Sequence, residues 1–305
     1  MHSPQQLFGA PDVAVHVAGR TDTGRRRTEN QDTFLISDLS ADDGQIVLRP
    51  DAAPAGGNAA IALHPRGILL VVADGMGGAA AGRLASGLAC TYILTELQQS
   101  WLMDRDATPR QFAFRLQEAV EKAGGSIHLY ARRNPETMGM GCTTTAAGVL
   151  DGILYLAQVG DSRAYLIRDG VTTQLTRDQS LIQNMIDAGA IRPEDAESSA
   201  HASVILQALG VKEEVEVDVT FQRLRRDDFL LLCSDGLHHV VRPQEMAATV
   251  GRLHEPPAVC DELVELANER GGPDNVTVVA ARFSGTGFMP SSPDDSVGRV
   301  PYPPS

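Results

Sequence analysis

The chain has 305 residues, and 43% of them are hydrophobic, enough for one large buried core or two ordinary ones. Aspartate and glutamate number 39 against 26 lysines and arginines. The resulting formal charge of −13 argues against nucleic acid or an anionic membrane as partner, since both are held by clustered cations.

Residues 1–11 read as a flexible N-terminus that lacks the apolar core of a signal peptide, and alternation over 13–18 predicts a first strand. The segment 38–66, rich in Ala, Gly, Pro and Asp, reads as a loop insertion, either a long hairpin excursion or a mobile loop. The apolar run 68–73 predicts a strand and is too short to span a bilayer, so a cytoplasmic protein is expected. A helix follows over 80–98 with Leu84, Leu88, Tyr92, Leu94 and Leu97 on its stripe. A second helix starts near Pro109 and turns Phe112, Phe114, Leu116, Ala119 and Val120 inward.

Beyond residue 141 the pattern changes to strands at 142–149, 153–159 and 164–167, joined by the turn dipeptides Asp151-Gly152 and Asp169-Gly170. The polar stretch 180–209 reads as a flap over a site, with Thr176 and Ser180 as helix caps. Strands at 215–221 and 229–233, a helix at 257–269 and a last strand at 275–283 complete a single domain over 12–283. Residues 284–305, rich in Gly, Pro and Ser, read as a disordered tail. Hairpins outnumber strand–helix–strand crossovers, which points to an α+β fold of antiparallel sheets with helices packed outside. The cysteines Cys90, Cys142, Cys233 and Cys260 have no paired spacing, so neither a zinc ribbon nor a redox motif is expected.

Aspartates recur at strand ends. Asp74, Asp161 and Asp235 each close an apolar run, Asp274 opens one, and Asp32 leads into another. Buried carboxylates are costly unless something positive holds them, and a divalent cation does so for several at once. Oxygen donors of this kind suit Mg2+ or Mn2+ rather than zinc. A pair of such ions lowers the pKa of a shared water for in-line attack on phosphorus, with no covalent phosphoenzyme.

Seven short motifs follow one another in order: Arg27-Thr28-Glu29-Asn30-Gln31-Asp32, Asp74-Gly75-Met76-Gly77-Gly78, Gly141-Cys142-Thr143-Thr144, Gly160-Asp161-Ser162-Arg163, Leu175-Thr176-Arg177-Asp178, Ser234-Asp235-Gly236-Leu237 and Gly272-Pro273-Asp274-Asn275. Together they resemble the bacterial branch of the metal-dependent protein serine/threonine phosphatases of the protein phosphatase 2C type, the PPM family. The resemblance implies a four-layer α-β-β-α sandwich, two antiparallel sheets flanked by helices, that hydrolyses phosphoserine and phosphothreonine in proteins and opposes a bacterial Ser/Thr kinase. It further implies that Asp74 bridges two Mn2+ or Mg2+ ions, with the Gly75 carbonyl on one and Asp235 and Asp274 on the other. Asp32 would hold a coordinated water, Asp161 with Asp235 would form a third, weaker site, and Arg27 would bind the substrate phosphate.

The chain departs from the family pattern at Ala79, where members often carry His, and at Met76, where eukaryotic relatives place a His proposed as general acid. The leaving-group proton therefore has no evident protein donor. Gln31 replaces a common Glu. His238 and His239 follow Asp235-Gly236-Leu237, near enough to the expected ions to be ligands, but read instead as hydrogen-bonded structural residues. Taken singly, Arg27 could be solvated like Arg25 and Arg26, Asp161 could pair with Arg163, residues 141–145 could simply shape a strand entry, and Asn275 could orient Asp274. Two rival readings remain: a dinucleotide fingerprint at Gly75, Gly77 and Ala80 with Glu96, opposed by the charge of Asp74, and a pseudophosphatase that binds phosphoproteins without turnover.

Overall fold

The computed structural model describes residues 13–39, 45–49, 56–62, 66–104, 108–199, 201 and 203–303. The expected flexible start at 1–11 lies outside the described residues. In chain order the elements are β1 (Ala14–Asp22), β2 (Asp32–Asp38), β3 (Gln45–Leu48), β4 (Gly56–Ala62), β5 (Ile68–Met76), α1 (Ala79–Ser100), α2 (Pro109–Arg133), β6 (Gly141–Leu150), β7 (Ile153–Val159), β8 (Arg163–Arg168) and β9 (Val171–Gln174). There follow α3 (Leu181–Asp187), β10 (Asp218–Arg223), β11 (Phe229–Cys233), the single turn α4 (Asp235–His238), α5 (Pro243–Leu253), α6 (Pro256–Glu269), β12 (Val276–Ser284) and β13 (Val300–Pro301).

The strands form two antiparallel sheets, ordered β4-β1-β12-β11-β8-β9 and β13-β10-β7-β6-β5-β2-β3. Three apolar interfaces hold the layers together. In β5, Leu69, Val71 and Ala73 pack on the α1–α2 side, whereas Ile68, Leu70 and Val72 pack between the sheets. In β11, Leu230 and Leu232 fill the intersheet core while Phe229, Leu231 and Cys233 meet α5 and α6. Burial on both faces explains why these strands read as unbroken apolar runs. The α-β-β-α sandwich follows from that arithmetic: each sheet has one face for its partner sheet and one for helices.

Four expectations are corrected. Phe114 is 59% exposed, because it falls two positions after Phe112 and so on the opposite side of α2. In α1 the small residues Ala81, Ala85 and Ala89 are buried with Ile93, Leu94 and Leu97, and Leu84, Leu88 and Tyr92 lie only part-buried at the rim. The 38–66 insertion is not simply a loop: β3 and β4 add an edge strand to each sheet by pairing with β2 and β1. The 284–305 tail is ordered through residue 303. Phe288 is buried against Phe283, Arg225 grips Asp295, and β13 pairs with β10. One aromatic at a suitable spacing anchors what composition alone reads as disorder.

The Arg168–Asp228 pair, with side chains 6% and 0% exposed, ties β8 to the turn before β11. Burial pushes the Asp228 carboxyl up in spite of its partner. Asp228→Ala is expected to cost about 3–5 kcal/mol in urea unfolding, because Arg168 is left buried and uncompensated. A paired Arg168→Met and Asp228→Leu replacement should be close to neutral.

Candidate metal centre

The two sheets each deliver carboxylates to the same end of the sandwich. Asp32 and Asp74 are register partners across β2 and β5. On the other sheet, β11 and β12 run as neighbours, so Asp235 after β11 comes close to Asp274 before β12. Asp161 sits on the connection from β7 to β8, where the chain passes from one sheet to the other.

Glycine makes the close approaches possible. A Cβ on Gly75 would lie 2.1 Å from the Gly82 carbonyl oxygen of α1, and one on Gly236 would lie 1.9 Å from the Asn275 carbonyl oxygen. The Asp-Gly pairs at 74–75 and 235–236 therefore mark tight backbone packing around a site rather than hairpin turns.

Electrostatics records the convergence. Burial first, then the charges of Asp274 and Asp32, pushes Asp235 up to about 7. Burial followed by Asp235 and Asp178 raises Asp161 to about 7. Asp32 is raised to about 6, mainly by burial. Asp74 stands well above the carboxylate range through burial and the four neighbours Asp32, Asp235, Asp161 and Asp274. Among the described residues no group of three His, Cys, Asp or Glu is closed into a ready-made cage. The charge effects show only that these carboxylates feel one another.

Two buried oxygens, Asp32 Oδ1 and Asp235 Oδ1, have no hydrogen-bond partner. A buried unsatisfied carboxylate oxygen is costly, and a cation is the partner that satisfies several of them together. The donor set, carboxylate oxygens, is the chemistry of a magnesium or manganese site, so the residues present fit such ions.

The surroundings hold the carboxylates in place. Ser234 Oγ donates to Asp32 Oδ2 at 2.6 Å and accepts from the Thr277 N–H at 3.0 Å. Arg27, half exposed, forks onto Asp274 through Nε at 2.8 Å and Nη2 at 2.7 Å. It is exposed like Arg25 and Arg26, but its ion pair with Asp274 draws it to the mouth of the site. Asn275 does more than orient Asp274: its Nδ2 donates to the Thr23 and Glu29 carbonyls and its Oδ1 accepts from the Gln31 N–H. That clasp fixes the loop carrying Arg27 to the segment before β12 that carries Asp274.

Arg163 does not pair with Asp161. Its guanidinium takes Asp178, at 2.7 Å, and the Tyr165 hydroxyl, which gives a structural reason for the 175–178 motif. Asp178 stands in a quoted motif, but nothing in the sequence assigned it to Arg163. Ser180 caps α3 by accepting from the Gln183 N–H, whereas Thr176 accepts from the Ala164 N–H and caps no helix. Residues 141–145 enter β6, with Cys142 bridged to Leu209. Burial keeps His238 well below the usual imidazole range, and its neutral Nε2–H donates to the Asp161 carbonyl at 3.0 Å. A cavity of 610 Å³ opens beside Asp32, lined also by Thr28, Asn30 and Arg83, on the α1 side of the loop.

The dinucleotide reading fails on topology, since β5 is antiparallel to both of its neighbours. Residues 58–268 match the family model described as protein phosphatase 2C. A serine/threonine phosphatase stp of Listeria innocua is 33% identical over 265 residues, covering 87% of this chain and 94% of the relative. Serine/threonine protein phosphatase PstP of Mycobacterium tuberculosis is 39% identical over 213 residues, 70% of this chain and 40% of that relative's length. The crystal structure of M. tuberculosis PstP/Ppp superposes with a TM-score of 0.70 at 34% identity, covering 89% of this chain and 99% of that one. The catalytic domain of PstP in complex with two manganese ions gives 0.68 at 33% identity with the same coverage. With the sandwich, the convergent aspartates and these relatives in agreement, the chain belongs to the protein phosphatase 2C family and is a metal-dependent protein serine/threonine phosphatase.

Proposed function

We propose that the chain removes phosphate from phosphoserine and phosphothreonine in proteins, at a centre where Asp74 bridges two Mn2+ or Mg2+ ions. The Gly75 carbonyl would help hold one ion and Asp235 and Asp274 the other, Asp32 would hold a water, and Asp161 with Asp235 would offer a third position. When bound, the cations neutralise phosphate charge and make a hydroxide available near neutral pH. The observation that carries this reading is the convergence of aspartates from distant segments with two orphaned buried oxygens among them.

The remaining steps belong to the chain. Arg27 exchanges its fork on Asp274 for two non-bridging phosphate oxygens, a change of one bidentate partner for another. Asn275 keeps that arginine within reach, and Ser234 keeps Asp32 oriented. Residues 75–80 carry no titratable side chain, so none of them supplies the proton that the leaving serine or threonine oxygen takes up.

A Ser/Thr protein kinase is the biological opposite, and the reducing cytoplasm is the setting that suits four free, buried cysteines. Among the described residues no helix is long and apolar enough to cross a membrane. The test is hydrolysis of a phosphothreonine peptide with Mn2+. Turnover abolished by EDTA and by Asp235→Asn is expected, whereas peptide binding without turnover in the wild type would select the pseudophosphatase reading instead.

A further inference from the structure

The 610 Å³ cavity borders both groups assigned to the substrate phosphate. Asp32 belongs to its lining as well as to the cluster of carboxylates, and Thr28, also on the lining, directly follows Arg27 in the chain. Hydrogen bonds tie the wall together. Asn30 Oδ1 accepts from the Asp32 N–H at 3.1 Å, Asn30 Nδ2 donates to Thr21 Oγ1 at 2.8 Å, and Ser86 Oγ of α1 donates to the Gln31 carbonyl at 2.6 Å. Phe34 and Cys90 are buried parts of the lining, whereas Thr28, Arg83 and Thr91 are exposed at the rim. The space is therefore preformed and of a size that takes more than one side chain.

Arg83, Gly87 and Thr91 recur every four residues and make one stripe of α1 along the cavity. A Cβ on Gly87 would meet nothing within 4 Å, so the middle of the stripe leaves room for a guest. The Arg83 guanidinium makes no hydrogen bond or ion pair among the described residues. Charged lining groups are Arg49 and Arg83 against Glu29 and Asp32, and cations at Asp32 turn that balance positive. An uncommitted guanidinium at such a mouth is a donor for a carboxylate.

We propose that this cavity is a substrate subsite for the carboxylate of an acidic residue flanking the phosphorylated serine or threonine, and that Arg83 is the residue that selects it. The inference rests on the phosphatase reading given above. With the phosphate held at Arg27 and the cations, an extended peptide advancing about 3.3 Å per residue brings a side chain within about three positions over the cavity. The field of the whole chain, at −13, favours basic peptides instead, so a preference for glutamate reports the local cation.

The test is kcat/KM with Mn2+ on phosphothreonine peptides that carry a single glutamate, lysine or alanine at each of the three positions before and after the phosphothreonine. Wild type should favour glutamate over alanine by at least about fivefold at positions on one side only, chiefly through KM, and the preference should shrink as salt rises. Arg83→Ala should bring the glutamate-to-alanine ratio to about one, and Arg83→Glu should favour the lysine peptide at the same positions. Gly87→Leu, which fills the cavity at a helical position that tolerates a side chain, should also abolish the ratio. Equal rates on glutamate and alanine peptides in wild type would overturn the subsite and leave the phosphatase reading standing. So would a glutamate preference kept in Arg83→Glu, or one spread evenly over all positions. No turnover of any peptide by the Mn2+-loaded wild type would overturn both readings.

Discussion

Asp74→Asn is expected to lower phosphopeptide kcat/KM by at least about 10³-fold while raising the melting temperature of the EDTA-treated protein. The two effects have one cause. Asp74 is the carboxylate pushed furthest up, by burial and by four acidic neighbours, so without cations its charge opposes the fold that brings it there. The sign is definite: a carboxyl whose pKa is higher folded than unfolded holds more protons when folded, and stability falls as pH rises through that interval. For this cluster the interval runs from the ordinary value of 3.8 up to about 7, where Asp161 and Asp235 titrate. The metal-free wild type should therefore lose stability between pH 4 and 7. The variant should lose less, and saturating Mn2+ should stabilise the wild type far more than the variant. Thermal unfolding across pH, with and without Mn2+, checks all of this; a variant less stable than wild type in EDTA would contradict it.

The second large effect concerns Arg27. Arg27→Ala should lower kcat/KM for a phosphopeptide about 10²–10³-fold, as expected for loss of a bidentate donor to phosphate. Affinity for Mn2+ should stay unchanged or tighten, because the same guanidinium occupies both oxygens of Asp274 and its removal frees that carboxylate. Isothermal titration with Mn2+ beside steady-state kinetics separates the two quantities. A parallel loss of Mn2+ affinity would show that Arg27 serves to position Asp274 and not to bind substrate.

The layers of the fold were legible in the sequence because β5 and β11 bury both faces, and a strand buried on both faces announces itself as a short unbroken apolar run. The face of α1 was harder to read. Its sheet-side positions are alanines, which pack closely while adding little to a hydrophobic stripe. The tail was misjudged for a similar reason: its order comes from Phe288, an arginine–aspartate pair at Asp295 and two residues of edge pairing, each a long-range event that local composition does not encode.

At the site, the aspartates were visible as carboxylates ending apolar runs, a costly placement that only a shared partner explains. What joins them was not visible. The clasp of Asn275 spans 244 residues to Gln31, and Ser234 reaches Asp32 across 202. Such contacts have no sequence periodicity, and neither did the hydrogen bond by which His238 reaches the Asp161 carbonyl from one short turn.

The most direct test of the central claim is anomalous diffraction at the manganese absorption edge from crystals grown with Mn2+. Two peaks are expected, one on either side of the Asp74 carboxylate, the first also at the Gly75 carbonyl and the second also at Asp235 and Asp274. Manganese peaks elsewhere on the surface, with those carboxylates turned apart, would contradict the account.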